Sequence, residues 1–228
     1  MMPREPHTTT VIVPGLRGHV EDHWQTRLAA KLPNAVVVPS FTRDKRDLAG
    51  RVADLHQVIS DANTPVTIVA HSAGVLTTVH WALRHDLPVR GALLATPPDL
   101  ARPLGPLYPS LAELRDSGWL PIPLAPLRFP TIVAASTNDV LGDVEHVRAM
   151  ARAWGSHLID IGPVGHLNPA AGYGEWLGAE ALLGILDGSV PTHHHTGHVP
   201  VSPAPGQPPS QRLHIYNSAP GPSSNSLT

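Results

Sequence analysis

The chain has no cysteine, which excludes disulfide scaffolds, thiolate metal sites and a cysteine nucleophile together. Any nucleophile must therefore be an oxygen or a lysine. No apolar run reaches the length needed to span a bilayer, and the polar stretch from Met1 to Thr10 lacks the apolar core of a signal peptide, so a cytoplasmic protein is expected. Charge of one sign is also missing. The formal net charge is −2, with no long run of Lys or Arg, so the footprint of a nucleic-acid or membrane-surface binder is absent and a small-molecule partner is expected. No internal repeat is evident. No GxGxxG opens a helix after a strand, so no nucleotide cofactor is implied.

A chain of 228 residues suffices for one sizeable domain with a buried core. Short β-branched runs recur at Val11–Val13, Val36–Val38, Val66–Ala70, Ala92–Ala95, Thr131–Ala135 and His157–Ile161. Their boundaries of Pro, Gly or Ser mark them as buried strands. Between them lie segments of helical period: Leu48, Val52, Leu55 and Ile59; Val75, Leu76, Val79, Ala82 and Leu83; Val144, Val147, Ala151 and Trp154. Each set falls on one helix face. Alternating strands and helices predict a doubly wound α/β fold, with a mostly parallel sheet of about six strands covered on both sides.

Two stretches break the rhythm. From Pro97 to Pro130 the chain carries nine prolines, together with Tyr108 and Trp119, which predicts an irregular excursion over one sheet edge, too short for a large lid. Residues 188–228 are rich in Pro, Ser, Gly and His. Such a tail cannot bury enough surface to offset its ordering entropy, so disorder is expected there, with the catalytic domain over 1–187.

Thr67-Ile68-Val69-Ala70-His71-Ser72-Ala73-Gly74-Val75-Leu76 puts a serine between the third strand and the following amphipathic helix. In so tight a turn the residues two before and two after must be small, and Ala70 and Gly74 are. Ser72 is thus the expected nucleophile; a plain N-cap of the helix is the alternative. In a sheet of this kind the partners follow at the ends of later strands, an acid and then a histidine. Asp139 follows Thr131–Ala135, and His166 follows His157–Ile161. An imidazole can take the serine proton and return it to the leaving group, while a carboxylate fixes its tautomer. Asp143 rivals Asp139 but more naturally caps the helix opening at Val144. Two donors should face the developing oxyanion: the backbone N–H of Ala73 and, from the loop Pro14–Gly18, that of Leu16. Tyr108 and Trp119 are candidate walls of an acyl pocket, with an ordinary packed aromatic as the alternative for each.

Val-Pro-Gly at 13–15, Asp-His-Trp-Gln at 22–25, Ala-His-Ser-Ala-Gly at 70–74, Thr-Pro-Pro-Asp at 96–99, and Gly-His-Leu-Asn at 165–168 running into Gly-Glu-Trp at 174–176 resemble, over roughly residues 10 to 187, the small serine-hydrolase family of the retinoblastoma-binding serine hydrolase and its bacterial relatives. The resemblance implies a minimal α/β-hydrolase without a large lid. It also implies a triad of Ser72, Asp139 and His166 that acts on carboxylic esters or, in some members, on aminoacyl amides or esters. The pattern often has proline after the acid, where this chain has Val140.

No metal is expected. His19 and His23 are four apart, yet Val20-Glu21-Asp22 between them is not the HExxH arrangement. His193, His194, His195 and His198 read as a solvated spacer. The expected activity is two-step ester hydrolysis through an acyl-enzyme, with aminoacyl amide or peptide cleavage, or a partner-binding role on a hydrolase scaffold, as alternatives.

Overall fold

The computed structural model describes residues 8–18, 20–39, 44–188 and 214–216, the last three by their backbone. The chain alternates strand and helix as its hydrophobic runs predict. Six strands lie parallel in the order β2 (Ala35–Val37), β1 (Thr9–Val13), β3 (Val66–His71), β4 (Val89–Ala95), β5 (Thr131–Ala135) and β6 (His157–Asp160). A seventh, β7 (His214–Tyr216), pairs antiparallel with β6. It falls in the tail expected to lack structure, and the correction has a simple cause. The parallel sheet ends at β6 with unpaired ladder groups, which a short extended His-Ile-Tyr segment can satisfy. Residues 189–213 and 217–228, with His193, His194, His195 and His198, lie outside the described residues, as does His19.

Side chains alternate between the two faces of each strand, and both faces are buried. Val11, Val13, Ile68, Ala70, Leu94 and Val133 join one apolar cluster, and Ile12, Val69, Leu93 and Ile132 join the other. The helices α2 (Leu48–Ser60), α3 (Ala73–Arg84) and α5 (Val144–Trp154) cover the first face, where Leu55, Leu76 and Ala151 pack. On the second, α1 (Trp24–Lys31) and α6 (Gly178–Leu186) contribute Trp24 and Leu182. The result is a three-layer doubly wound sandwich.

The central helix departs from its pattern. Every residue of α3 from Ala73 to Ala82 is buried, whereas Leu83, expected on the buried stripe, is 44% exposed in the last turn. The cause is the Pro97–Pro130 excursion, which lies against α3 and not over a sheet edge. It contains one short helix, α4 (Leu111–Asp116), held by a Ser110–Glu113 capping box. Just beyond it, the Trp119 carbonyl accepts from His80 Nε2 at 3.2 Å. The Trp119 indole N–H donates to the Arg46 carbonyl at 3.0 Å. Trp119 is therefore a core residue, 1% exposed.

Candidate active site

From β1 the chain runs outward to β2, then returns through α2 to β3 on the other side of β1. Such a reversal leaves a crevice at the carboxyl ends of the two central strands, where open α/β sheets bind their ligands. Val13 and Ala70 are partners in the β1–β3 register. The loop 14–18 after β1 and Ser72 after β3 therefore emerge side by side.

Ser72 has φ 56 and ψ −124, and its side chain makes no capping hydrogen bond to α3. A non-glycine residue in that region stores on the order of 1–3 kcal/mol of strain. The turn survives because its surroundings overdetermine it. The Ser72 N–H donates to the Ala95 carbonyl at 3.0 Å. Gly74 lets α3 meet β1 so closely that a Cβ there would sit 2.2 Å from the Val13 carbonyl oxygen. The serine is thus not serving as a cap.

Its hydroxyl lies 2.8 Å from His166 Nε2. On the other side of the ring, Nδ1 lies 2.7 Å from Asp139 Oδ2, with the two side chains 8% and 3% exposed. A carboxylate only accepts, so Nδ1 carries the proton and Nε2 is left to accept from the Ser72 O–H. The second oxygen of Asp139 accepts from the Leu141 N–H at 2.9 Å. Asp143, the rival acid, caps α5 by accepting from the Glu145 and His146 N–H groups. Val140, where the family pattern has proline, points outward at 78% exposure, and the carboxylate before it still reaches the ring.

The loops that carry the acid and the base are bonded to each other. Thr137 N–H donates to the Gly162 carbonyl at 3.0 Å, Ser136 Oγ accepts from Val164 N–H at 3.2 Å, and Asn138 Oδ1 accepts from Gly165 N–H at 2.6 Å. The segment Thr96–Asp99 braces the acid loop from behind. Asp99 N–H donates to the Leu141 carbonyl, and its carboxylate accepts from Asp143 N–H at 2.8 Å and meets His146 Nδ1 at 3.0 Å. Burial alone would raise the Asp99 pKa, but the Ala101 and Asp143 N–H groups and His146 bring it below its usual value.

Three residues that sequence patterns did not single out for the site support it. His71 is buried, and its Nε2–H donates to the His166 carbonyl at 2.9 Å. Burial, followed by the rings of His166 and His23, holds its pKa well below the ordinary imidazole value. It therefore stays neutral. His23 caps α1 and packs its ring 4.6 Å from that of His71. Gln25 Nε2 donates to the carbonyls of Val13 and Val69, pinning β1 to β3 under the site. The nearby Trp24 stacks edge-on with Trp176 at 4.9 Å, so the Asp-His-Trp-Gln and Gly-Glu-Trp motifs meet beneath His71.

A cavity of about 110 Å³ opens onto Ser72 and His166 and is lined in part by Leu16, Arg17, Gln25 and Tyr108. Tyr108 thus borders it, while Trp119 does not. The Leu16 loop is close: a Cβ on Gly15 would lie 3.3 Å from Ser72 Cβ. Ala73 opens α3, so its N–H has no acceptor within the helix. Among the described residues, no group of three or more His, Cys, Asp or Glu side chains could hold a metal ion, and no helix is long and apolar enough to cross a membrane.

The chain is similar to known proteins. A family profile described as "Serine hydrolase" matches residues 10–184. A protein of Pectobacterium atrosepticum described as a YdeN-like hydrolase is 29% identical, with TM-score 0.66 over 81% of this chain and 94% of its own. The ydeN gene product of Bacillus subtilis is 17% identical, with TM-score 0.63 over 79% of this chain and 99% of its own. A Xanthomonas campestris protein described as a hydrolase of the α/β superfamily is 20% identical, with TM-score 0.55 over 80% of this chain and 98% of its own. These last two bear on the fold alone. The search of curated proteins gives no match.

Proposed function

The chain belongs to the serine hydrolase family, and on that premise we propose that it cleaves small carboxylic esters through a triad of Ser72, His166 and Asp139. One observation carries the reading. The His166 ring lies between the Ser72 hydroxyl at 2.8 Å and the Asp139 carboxylate at 2.7 Å, with the proton placement a general base requires.

In the first step the Ser72 hydroxyl proton passes to His166 Nε2 as Oγ bonds to the ester carbonyl carbon. Charge gathers on the carbonyl oxygen. The N–H groups of Ala73 and Leu16 stabilise it, and the N-terminus of α3 adds its positive end. Collapse breaks the bond to the alcohol, which leaves with the Nε2 proton. Water then gives a proton to Nε2 as its oxygen bonds to the acyl carbon; collapse breaks the bond to Oγ, which takes the Nε2 proton back, so the acid leaves and Ser72 is restored. Asp139 keeps Nδ1 protonated throughout and steadies the imidazolium. No step needs a cofactor.

The cavity sets the scale of the substrate. Drug-sized ligands occupy roughly 300–1,000 Å³, so about 110 Å³ favours a short acyl group, with Tyr108 beside it. Among the described residues the cavity wall includes no Asp or Glu, so they offer an aminoacyl substrate no carboxylate for its ammonium group. That favours esters over the aminoacyl alternative. The family match over 10–184 supports a catalytic domain within residues 1–187, to whose sheet β7 adds an edge strand.

The test is covalent labelling with a fluorophosphonate, followed by hydrolysis of matched aryl acetates and aminoacyl amides. Labelling at Ser72 with faster turnover of the acetates is expected. An unlabelled, inactive protein would point instead to partner binding on a hydrolase scaffold.

A further inference from the structure

Resting on the esterase reading, we infer that Arg17 selects esters whose departing alcohol carries a carboxylate. Arg17 lies in the loop after β1, next to Leu16, and lines the cavity at its exposed rim. Its guanidinium is always charged. None of the ion pairs among the described residues involves it: of the two near acids in sequence, Asp22 pairs with Arg27 at 3.1 Å, and the exposed Glu21 makes no ion pair with Arg17.

Among the described residues, the rest of the wall offers no competing anion. Its other ionisable groups are Tyr108 and the three histidines His23, His71 and His166, while the Asp139 carboxylate is only 3% exposed behind His166. A cavity of this kind concentrates anions near its mouth. The cavity of about 110 Å³ suits the short acyl group, so the alcohol is directed out past Arg17. There a guanidinium presents two parallel N–H donors that match a carboxylate. A cationic leaving group would be disfavoured at the same place.

The experiment compares the acetyl esters of 3-hydroxybenzoate and 3-hydroxybenzamide, which differ in charge but little in shape. For the wild-type protein at low salt, kcat/KM for the benzoate ester should exceed that for the benzamide ester by roughly threefold to tenfold, a size suited to one solvent-exposed charge. The ratio should fall towards one at high ionic strength. It should also fall in Arg17→Gln, drop below one in Arg17→Glu, and be partly kept in Arg17→Lys. A wild-type ratio of one or less, or a ratio that Arg17→Gln leaves unchanged, overturns the assignment. With both esters still cleaved and Ser72 still labelled, that result would leave the esterase reading intact. Failure to cleave either ester, with Ser72 unlabelled, would overturn both.

Discussion

The Asn138 carboxamide oxygen lies 2.6 Å from the Gly165 N–H, so the residue before the proposed acid holds the residue before the proposed base. Each of the two therefore fixes the approach of Asp139 to His166 without touching substrate. Asn138→Ala should lower kcat by roughly tenfold, because small displacements of a reacting group are costly, with KM little changed. Steady-state kinetics on an aryl acetate would decide it. A loss confined to KM would show that the link positions nothing.

Ser72→Ala should lower kcat by on the order of a thousandfold or more. Alanine keeps the Cβ, so the strain at φ 56 remains, and no side-chain capping bond is lost; thermal stability should therefore stay close to that of the wild type. Kinetics and calorimetry on the same preparation test both halves. Retained activity would remove Ser72 from the mechanism.

Stability should fall in mild acid. The pKa values of His71 and His80 are depressed in the folded protein, mainly by burial, while in the unfolded chain they titrate near 6.5. Below about pH 6.5 the unfolded chain therefore binds more protons than the folded one. Each such group lowers the unfolding free energy by up to about 1.4 kcal/mol per pH unit until its folded pKa is reached. Above about pH 7 the stabilisation is fully present. Denaturant titrations at pH 7.5, 6.5 and 5.5 should show the decline, and His71→Gln, which keeps a donor near the His166 carbonyl, should flatten it. A wild-type profile level across that range would contradict the burial argument.

Gly74→Ala forces a methyl group to within 2.2 Å of a backbone oxygen, with no flexible side chain available to yield. Overpacking of this kind costs about 3 kcal/mol or more, or roughly 6–12 °C of Tm in a domain of this size. Differential scanning calorimetry would measure it. The substitution should also abolish fluorophosphonate labelling, because the turn that presents Ser72 depends on that contact.

The layered sheet was legible from its apolar runs, and the candidate triad of Ser72, Asp139 and His166 was read from one feature: each residue lies in the connection that follows an apolar strand, and strand ends in such a sheet converge. Other features leave no periodic trace. Asn138 and His71 act through hydrogen bonds to the main chain of a remote loop, and a main-chain acceptor has no identity in sequence. Gln25 bonds two carbonyls on adjacent strands, which requires knowing that β1 and β3 are neighbours. Of the two readings of Trp119, the packed aromatic is the one the structure shows, and sequence left the choice open for a related reason. An aromatic residue among prolines suggests a surface wall, but its indole N–H finds the Arg46 carbonyl and its ring enters the core. The same packing hides the polar side of α3.

The excursion between β4 and β5 divides its labour by position. Its anchors, Leu114 and Trp119, sink into the layer over α3, whereas Tyr108 stands at the cavity on a stretch with exposed neighbours. Substitutions around 105–109 can thus reshape the entrance while the anchors stay in place. The fold in this way separates what must be preserved for folding from what is free to diversify, and changes in substrate preference should accumulate in that short segment.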